Sequence, residues 1–271
     1  MFYAYRIRFV VCFFLATITI GEIKMNNQNS LKTSGAFAAH DKLEKPVILE
    51  WIKTSILSSD FSQSMKNMWD IARPAYTPVE MQFLKAFPDL VQNDPYFTPL
   101  ESLFKNGIAN VDWKLVEENM QAMLKSHFIF DATTWPEEIT KKYAHDICYF
   151  VSVKDAKTHE LVGFITFLKR KEYPQETIKV MSFAVHPEHQ NRGLGKILMS
   201  SIFNIEPTIQ RVFLCTRVTN DMALRAYRSW GFVHDENPIL DHTFNLDHWT
   251  FMEYKTKQSN ILQKTAEAVI K

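Results

Sequence analysis

The chain has 271 residues, of which 46% are hydrophobic and 13% aromatic, ample for the core of one large domain or two small ones. A formal net charge of +1, with no basic block, zinc spacing or interleaving of aromatic with basic residues, excludes nucleic acid as the expected partner. Cys12, Cys148 and Cys215 are far apart, and the latter two fall in apolar strand-like runs, so core thiols are expected rather than a disulfide framework.

Residues 1–24 do not resemble the rest. Arg6 and Arg8 precede Phe9–Ile20, an apolar run too short for a comfortable membrane span but suited to a signal-peptide core. The cleavage signature is poor, with Thr19 and Gly21 followed by Glu22. Three readings stay open: an export signal, a membrane anchor if residues 7–21 are retained, or an upstream extension ahead of Met25. Residues 25–45 are rich in Asn, Ser, Lys, Gln and Ala without a sustained period, and read as a flexible linker.

Pro46–Ile52 is expected to be a short strand. Residues 46–127 otherwise read as a helical amino-terminal part, with Phe61, Met65, Met68 and Trp69 recurring on one face. Two capping boxes follow, Thr77-Pro78-Val79-Glu80 and Thr98-Pro99-Leu100-Glu101, in which a threonine accepts an orphan N–H and a glutamate reaches back to the cap. The helix from Thr77 buries Met81, Leu84 and Phe87 and stops at Pro88. Another starts at Asp112 and carries Trp113, Val116, Met120, Met123 and Leu124 on one face, a stripe best explained by core packing.

Residues 128–255 read as the core. Phe128–Phe130 is a candidate strand before the Asp131–Pro136 turn. Ile147–Val153, Leu161–Leu168 and Ile178–Val185 are clearer strands, the first two joined by the polar loop Lys154–His159. A helix is expected over Gly193–Asn204, a strand over Arg211–Thr216, a helix over Asp221–Ser229, and strands over Phe232–Asp235 and Trp249–Tyr254. Residues 256–271 form a tail with a weak helical stripe through Leu262, Ala266 and Val269. The order implies an α/β (α+β) fold, a mixed and mostly antiparallel central sheet flanked by helices.

The chemistry concentrates after Val185. A strand ending before Pro187, a turn with Gly193 and Gly195, and a helix carrying Ile197, Leu198, Ser201 and Ile202 make a nest of unpaired N–H groups suited to a phosphate. Neither a nucleoside triphosphate loop nor a dinucleotide fingerprint is present. The segment Gln190-x-x-Gly193-x-Gly195, directly after Val185-x-Pro187, resembles the acyl-CoA-binding motif of the GNAT N-acetyltransferase superfamily. Asn220-x-x-Ala223-x-x-x-Tyr227-x-x-x-Gly231-Phe232 is similar to a second element of that family, in the right order.

The resemblance implies a GNAT-like acyl-CoA N-acyltransferase fold with an enlarged helical amino-terminal part, in which a central strand and its successor splay apart around the pantetheine arm. It implies acetyl-CoA as co-substrate, its diphosphate on the backbone of Arg192, Gly193, Leu194, Gly195 and Lys196, with Gln190 facing it. Phe183, Ala184 and Val185 would pair through their backbone with pantetheine, and Asn220 and Ala223 would border it. Cofactor charge at the 3′-phosphate would fall to Arg217, Arg225 or Arg228, among which the sequence does not choose.

Tyr227 falls at the position of the family's general acid, ready to protonate the departing thiolate, and the N–H of Val185 or a neighbour would hold the carbonyl oxygen. Relatives carry a strand glutamate where this chain has Lys179. Glu176 is then the nearest acid and the candidate base, with His186, a water relay or an amino-terminal residue as alternatives. His242 and His248 share a loop with Asp241 and Asp247 at a spacing that does not suit a metal, and none is expected.

The expected activity is transfer of an acetyl group from acetyl-CoA to a small-molecule amine or a peptide or protein amine. The alternatives are a weak or inactive acyl-CoA-binding or protein-interaction module and transfer of a longer acyl chain. A cytoplasmic location follows from the donor, with export or membrane association through residues 1–24 as the alternative.

Overall fold

The computed structural model describes residues 33–129, 141, 143–240 and 246–269. They form one eight-stranded sheet in the order β1-β2-β3-β4-β5-β6-β8-β7. The strands are β1 (Thr33–His40), β2 (Pro46–Ser55), β3 (Ile147–Asp155), β4 (Leu161–Lys169), β5 (Thr177–Val185), β6 (Arg211–Arg217), β7 (Val233–His234) and β8 (Trp249–Lys255). Neighbours are antiparallel except β5 and β6, which run parallel. Among the described residues no helix is long and apolar enough to cross a membrane. Residues 1–24, the turn from Asp131 and His242 lie outside the described residues.

Helices cover both faces of the sheet, which is why β4 is buried at every position but its ends. One face packs against α1 (Ser59–Ala86), the short α2 (Leu90–Asn93), a 3-10 run over Pro95–Phe104 and α3 (Trp113–Phe128). The other packs against α4 (Leu194–Ile205) and α6 (Ile261–Val269), with Leu224 and Tyr227 of α5 (Asp221–Ser229) joining the same cluster. The tail is thus part of the domain: Leu262 and Ala266 are buried, and Asn204 Nδ2 donates to the Ala266 carbonyl at 3.3 Å.

Four expectations are corrected. Residues 33–40 of the presumed linker form edge strand β1, paired with β2 from Thr33↔Lys53 to His40↔Pro46. Their Gly and Ala residues hide a strand period but fit the site, since a Cβ at Gly35 would lie 2.6 Å from Trp51 Nε1. β2 in turn pairs with β3 along its length, so residues 46–127 complete the same sheet.

The Thr77 capping box does not form, because α1 runs unbroken through Pro74 and Pro78. Each proline removes a helix hydrogen bond, and the burial of Phe61, Met65, Met68, Trp69, Met81, Phe83 and Leu84 along α1 outweighs that loss. Thr98 lies inside the 3-10 run, and the cap there is Asp94, which accepts from Tyr96 N–H at 3.0 Å. Phe128 closes α3 rather than opening a strand, and its ring packs against Trp69, Tyr76 and Phe164. The Asp112 cap holds, accepting from Lys114 and Leu115 N–H.

Candidate active site

β5 and β6 pair only at Thr177↔Arg211, Ile178↔Val212 and Lys179↔Phe213, then part. On its other edge β5 slips register against β4, from Phe167↔Val180 to Thr166↔Ser182, which leaves Met181 as the extra residue of a bulge. A bulge bends a strand and increases its twist, and this one sits where β5 leaves β6. The gap is a groove of about 380 Å³ roofed by α5 and opening at the start of α4.

Phe183, Ala184, Val185, Gln190, Gly193, Leu194, Gly195, Lys196, Asn220, Ala223 and Tyr227 all line this groove. The α4 N-cap is Gly193, with φ +81° and no side-chain cap, and Asn191 before it is also left-handed at φ +61°. Lys196 N–H turns back onto the Gly193 carbonyl at 3.0 Å. The N–H groups of Leu194 and Gly195 precede the first N–H that donates within the helix, and carry the positive end of the helix dipole. Glycine at 195 is set by packing: a Cβ there would lie 3.1 Å from both Phe183 Cζ and Trp230 Cη2. Gln190 Nε2 donates to the Val185 carbonyl at 3.2 Å, fixing the turn to the strand.

Asn220 caps α5, accepting from Ala223 N–H at 3.3 Å and donating to Thr216 Oγ1 at 3.0 Å. About two helical turns after the cap, Tyr227 packs its ring against Phe183, Trp230 and Phe232 with centroids 5.6 to 6.3 Å apart. Burial pushes its phenol above the ordinary value, and Tyr76 and Cys215 beside it act in the same direction. The residue therefore stays a proton donor throughout the neutral and mildly alkaline range.

Tyr227 also lines a second, smaller cavity of about 100 Å³, deeper between the splayed strands. Its far wall is Glu80 of α1 and Arg217 of β6, joined by two bonds of 2.9 Å and both buried. The Arg217 guanidinium lies between Phe83 and Trp249, 4.1 Å from each ring centroid. The remainder is apolar or weakly polar, including Leu124, Met181, Leu214 and Cys215. Tyr76 of α1 stands at the junction of the two cavities, its oxygen accepting Phe183 N–H at 2.9 Å. Burial pushes this phenol up as well, against the opposing bonds from Phe183 N–H and Ser182.

Several expected residues lie elsewhere. Glu176 precedes the paired end of β5, and its carbonyl accepts Gln210 and Arg211 N–H. It is exposed, at the opposite end of the strand from the splay, roughly 20 Å from Phe183 at an extended rise. The candidate base is thus excluded by position. Arg192 does not line the groove, and its side chain turns away to Asp41 and His189.

Arg217 is committed to Glu80, while Arg225 and Arg228 are exposed and line neither cavity. His186 accepts from Glu188 N–H and caps its turn. His186, Glu188 and His189 have ligand atoms within 4.8 Å of one another, but the Arg192 guanidinium stands on His189 Nδ1, where it would repel a cation. His248 packs on Phe83 and Phe87.

Residues 115–232 match the model of the acetyltransferase (GNAT) family. That segment, less than half of the chain, is GNAT-like. Outside this GNAT segment, β1, β2, β7 and β8 widen the sheet, and α1 and β8 wall the second cavity. An uncharacterized protein of Mycobacterium leprae (strain TN) is 28% identical over 112 residues, 41% of this chain and 30% of that protein. The match thus spans under a third of the relative's length.

Among solved structures, a spermidine N-acetyltransferase from Vibrio cholerae in complex with CoA and spermine is 20% identical. It covers 45% of this chain and 74% of its own, at TM-score 0.33. The PaiA N-acetyltransferase from Thermoplasma acidophilum in complex with coenzyme A is 15% identical, covering 76% and 98%, at TM-score 0.40.

Proposed function

We propose that this GNAT-family protein is an acyl-CoA-dependent N-acyltransferase that moves an acetyl group from acetyl-CoA to a primary amine. The observation that carries the reading is a continuous path: uncapped N–H groups at the start of α4, a groove between β5 and α5, and Tyr227 at its inner end. Leu194 and Gly195 N–H would hold the diphosphate, with Lys196 beside them, and the backbone of Phe183–Val185 would run along the pantetheine arm. Direct attack forms the N–C bond and breaks the C–S bond. The departing thiolate takes the Tyr227 proton, and the proton lost by the amine leaves through water, since among the described residues no carboxylate other than the Arg217-paired Glu80 lines either cavity.

The second cavity supports an acceptor whose amine sits on an apolar or aromatic group, or a peptide amino terminus. Among the described residues its one carboxylate, Glu80, is neutralised by Arg217, and these residues give no acidic lining of the kind a polyamine would favour. A non-catalytic acyl-CoA-binding module is the second reading, favoured by Tyr76 on the Phe183 N–H at the place where a thioester carbonyl would come to rest. Thiol release from acetyl-CoA against a panel of amines separates the two. Release above the hydrolytic background with an apolar amine supports transfer; tight acetyl-CoA binding without amine-dependent release supports the module.

A further inference from the structure

We propose that Lys42, in the turn between β1 and β2, is a diphosphate-binding residue that replaces the turned-away side chain of Arg192. This rests on the acyl-CoA reading of the groove and adds an element from outside the GNAT segment. In the motif Gln190–Lys196 the charged residues flanking the glycines are Arg192 and Lys196, and of the two only Lys196 lines the groove. Arg192 Nε donates to Asp41 Oδ2 at 2.5 Å, its Nη1 contacts His189 Nδ1, and the Asp41 side chain is fully buried. A guanidinium so paired contributes little field at the groove mouth.

The same ion pair builds the turn that carries Lys42. Asp41 Oδ1 accepts Leu43 N–H at 2.8 Å and Lys45 N–H at 3.0 Å, while Oδ2 holds Arg192. Burial pushes the Asp41 carboxyl up, but the Lys45 N–H, Arg192 and the Leu43 N–H outweigh it and hold it below the usual value, so it stays ionised. Lys42 N–H then donates to the Arg192 carbonyl at 2.8 Å, which locks the lysine backbone to the glycine turn.

Its stem crosses Gly193 closely: a Cβ at Gly193 would stand 2.8 Å from Lys42 Cγ and 3.3 Å from both Cδ and Cε. Gly193 is therefore required twice, by its φ of +81° and by the stem above it. Lys42 lines the groove with Lys196, and among the described residues no carboxylate pairs with it. An ammonium beside uncapped N–H groups at a helix start suits a diphosphate.

The test is calorimetric titration of CoA and 3′-dephospho-CoA, with pantetheine measured by displacement, on the full chain and on Lys42→Met, Lys42→Arg and Asp41→Asn. Expected are a loss of about tenfold for both nucleotides in Lys42→Met, unchanged pantetheine affinity, near-parental behaviour of Lys42→Arg, and an intermediate loss in Asp41→Asn, where the lysine is present but its turn is loosened. CoA affinity unchanged in Lys42→Met overturns the proposal. So does a loss for CoA but not for 3′-dephospho-CoA, which would move Lys42 to the 3′-phosphate, or an equal loss for pantetheine, which would make the lysine a packing residue. Parental protein that binds neither nucleotide instead removes the acyl-CoA reading itself, an outcome visible before any variant is made.

Discussion

The phenol oxygen of Tyr76 accepts the backbone N–H of Phe183 at 2.9 Å, and this bond ties helix α1 to the strand that borders the groove. The N–H belongs to the free edge of β5, where β6 has already moved away. An amino-terminal helix thus supplies the partner that a neighbouring strand would otherwise provide.

Removing that partner leaves a buried donor unpaired. Tyr76→Phe is expected to lose about 1–3 kcal/mol of unfolding free energy, read from denaturant midpoints. An unchanged midpoint would mean that the Phe183 N–H has another acceptor.

Tyr227→Phe keeps the ring contacts with Phe183, Trp230 and Phe232 and deletes only the hydroxyl. For a general acid, turnover with the best amine is expected to fall about 100-fold or more, while the CoA dissociation constant stays within about twofold. Equal losses in both would assign the hydroxyl to binding instead.

The parts of this site that local rules control were legible in the chain. The Gly193 and Gly195 turn, the Asn220 cap and the span of α5 follow from capping and backbone freedom within a few residues. Long-range partners were not legible. Glu80 fits a capping box by spacing, yet its carboxylate goes to Arg217, 137 positions away. Tyr76 lies between two prolines that suggest a helix break, and only tertiary burial keeps α1 whole around it. Lys42 sits in a polar stretch without periodicity because β1 is an edge strand of small residues. Glu176 shows the converse error, since sequence proximity to the strand said nothing about which end of it opens.

The Glu80 and Arg217 pair gives a further stability test. Glu80→Gln or Arg217→Met alone strands a buried charge, and each is expected to cost about 3–5 kcal/mol in chemical unfolding. The double variant Glu80→Gln with Arg217→Met should recover a large part of that loss, because neither charge then remains. Additive losses would show that the two residues act separately.

Alkaline pH acts on the two facing phenols. Both Tyr76 and Tyr227 have folded-state values raised above the ordinary value by burial. A raised value means the unfolded chain releases its proton first, so the stability contribution is complete below about pH 10 and is lost as pH rises toward the folded value. Denaturant midpoints are expected to hold from pH 7 to 9 and fall above about pH 10. The slope of that fall should be smaller in Tyr76→Phe and Tyr227→Phe, each of which removes one titrating group; an equal slope in all three proteins would trace the loss to other residues.

Gly195 separates groove from fold most directly. It is a helical residue, so alanine removes backbone freedom from the unfolded chain and should gain up to about 1 kcal/mol from helix propensity. Against that, a Cβ would stand 3.1 Å from Phe183 Cζ and from Trp230 Cη2, so both rings must shift by a few tenths of an ångström. The two effects oppose, and Gly195→Ala is expected to melt within a few degrees of the parent. Valine adds two methyl groups in the same direction, into the groove between the Leu194 N–H and Tyr227. Gly195→Val is therefore expected to lose CoA binding by about 100-fold or more, as a blocked site does, while circular dichroism and gel-filtration mobility remain parental. If Gly195→Val binds CoA as tightly as the parent, the diphosphate does not lie at the start of α4, whatever the fold of the chain.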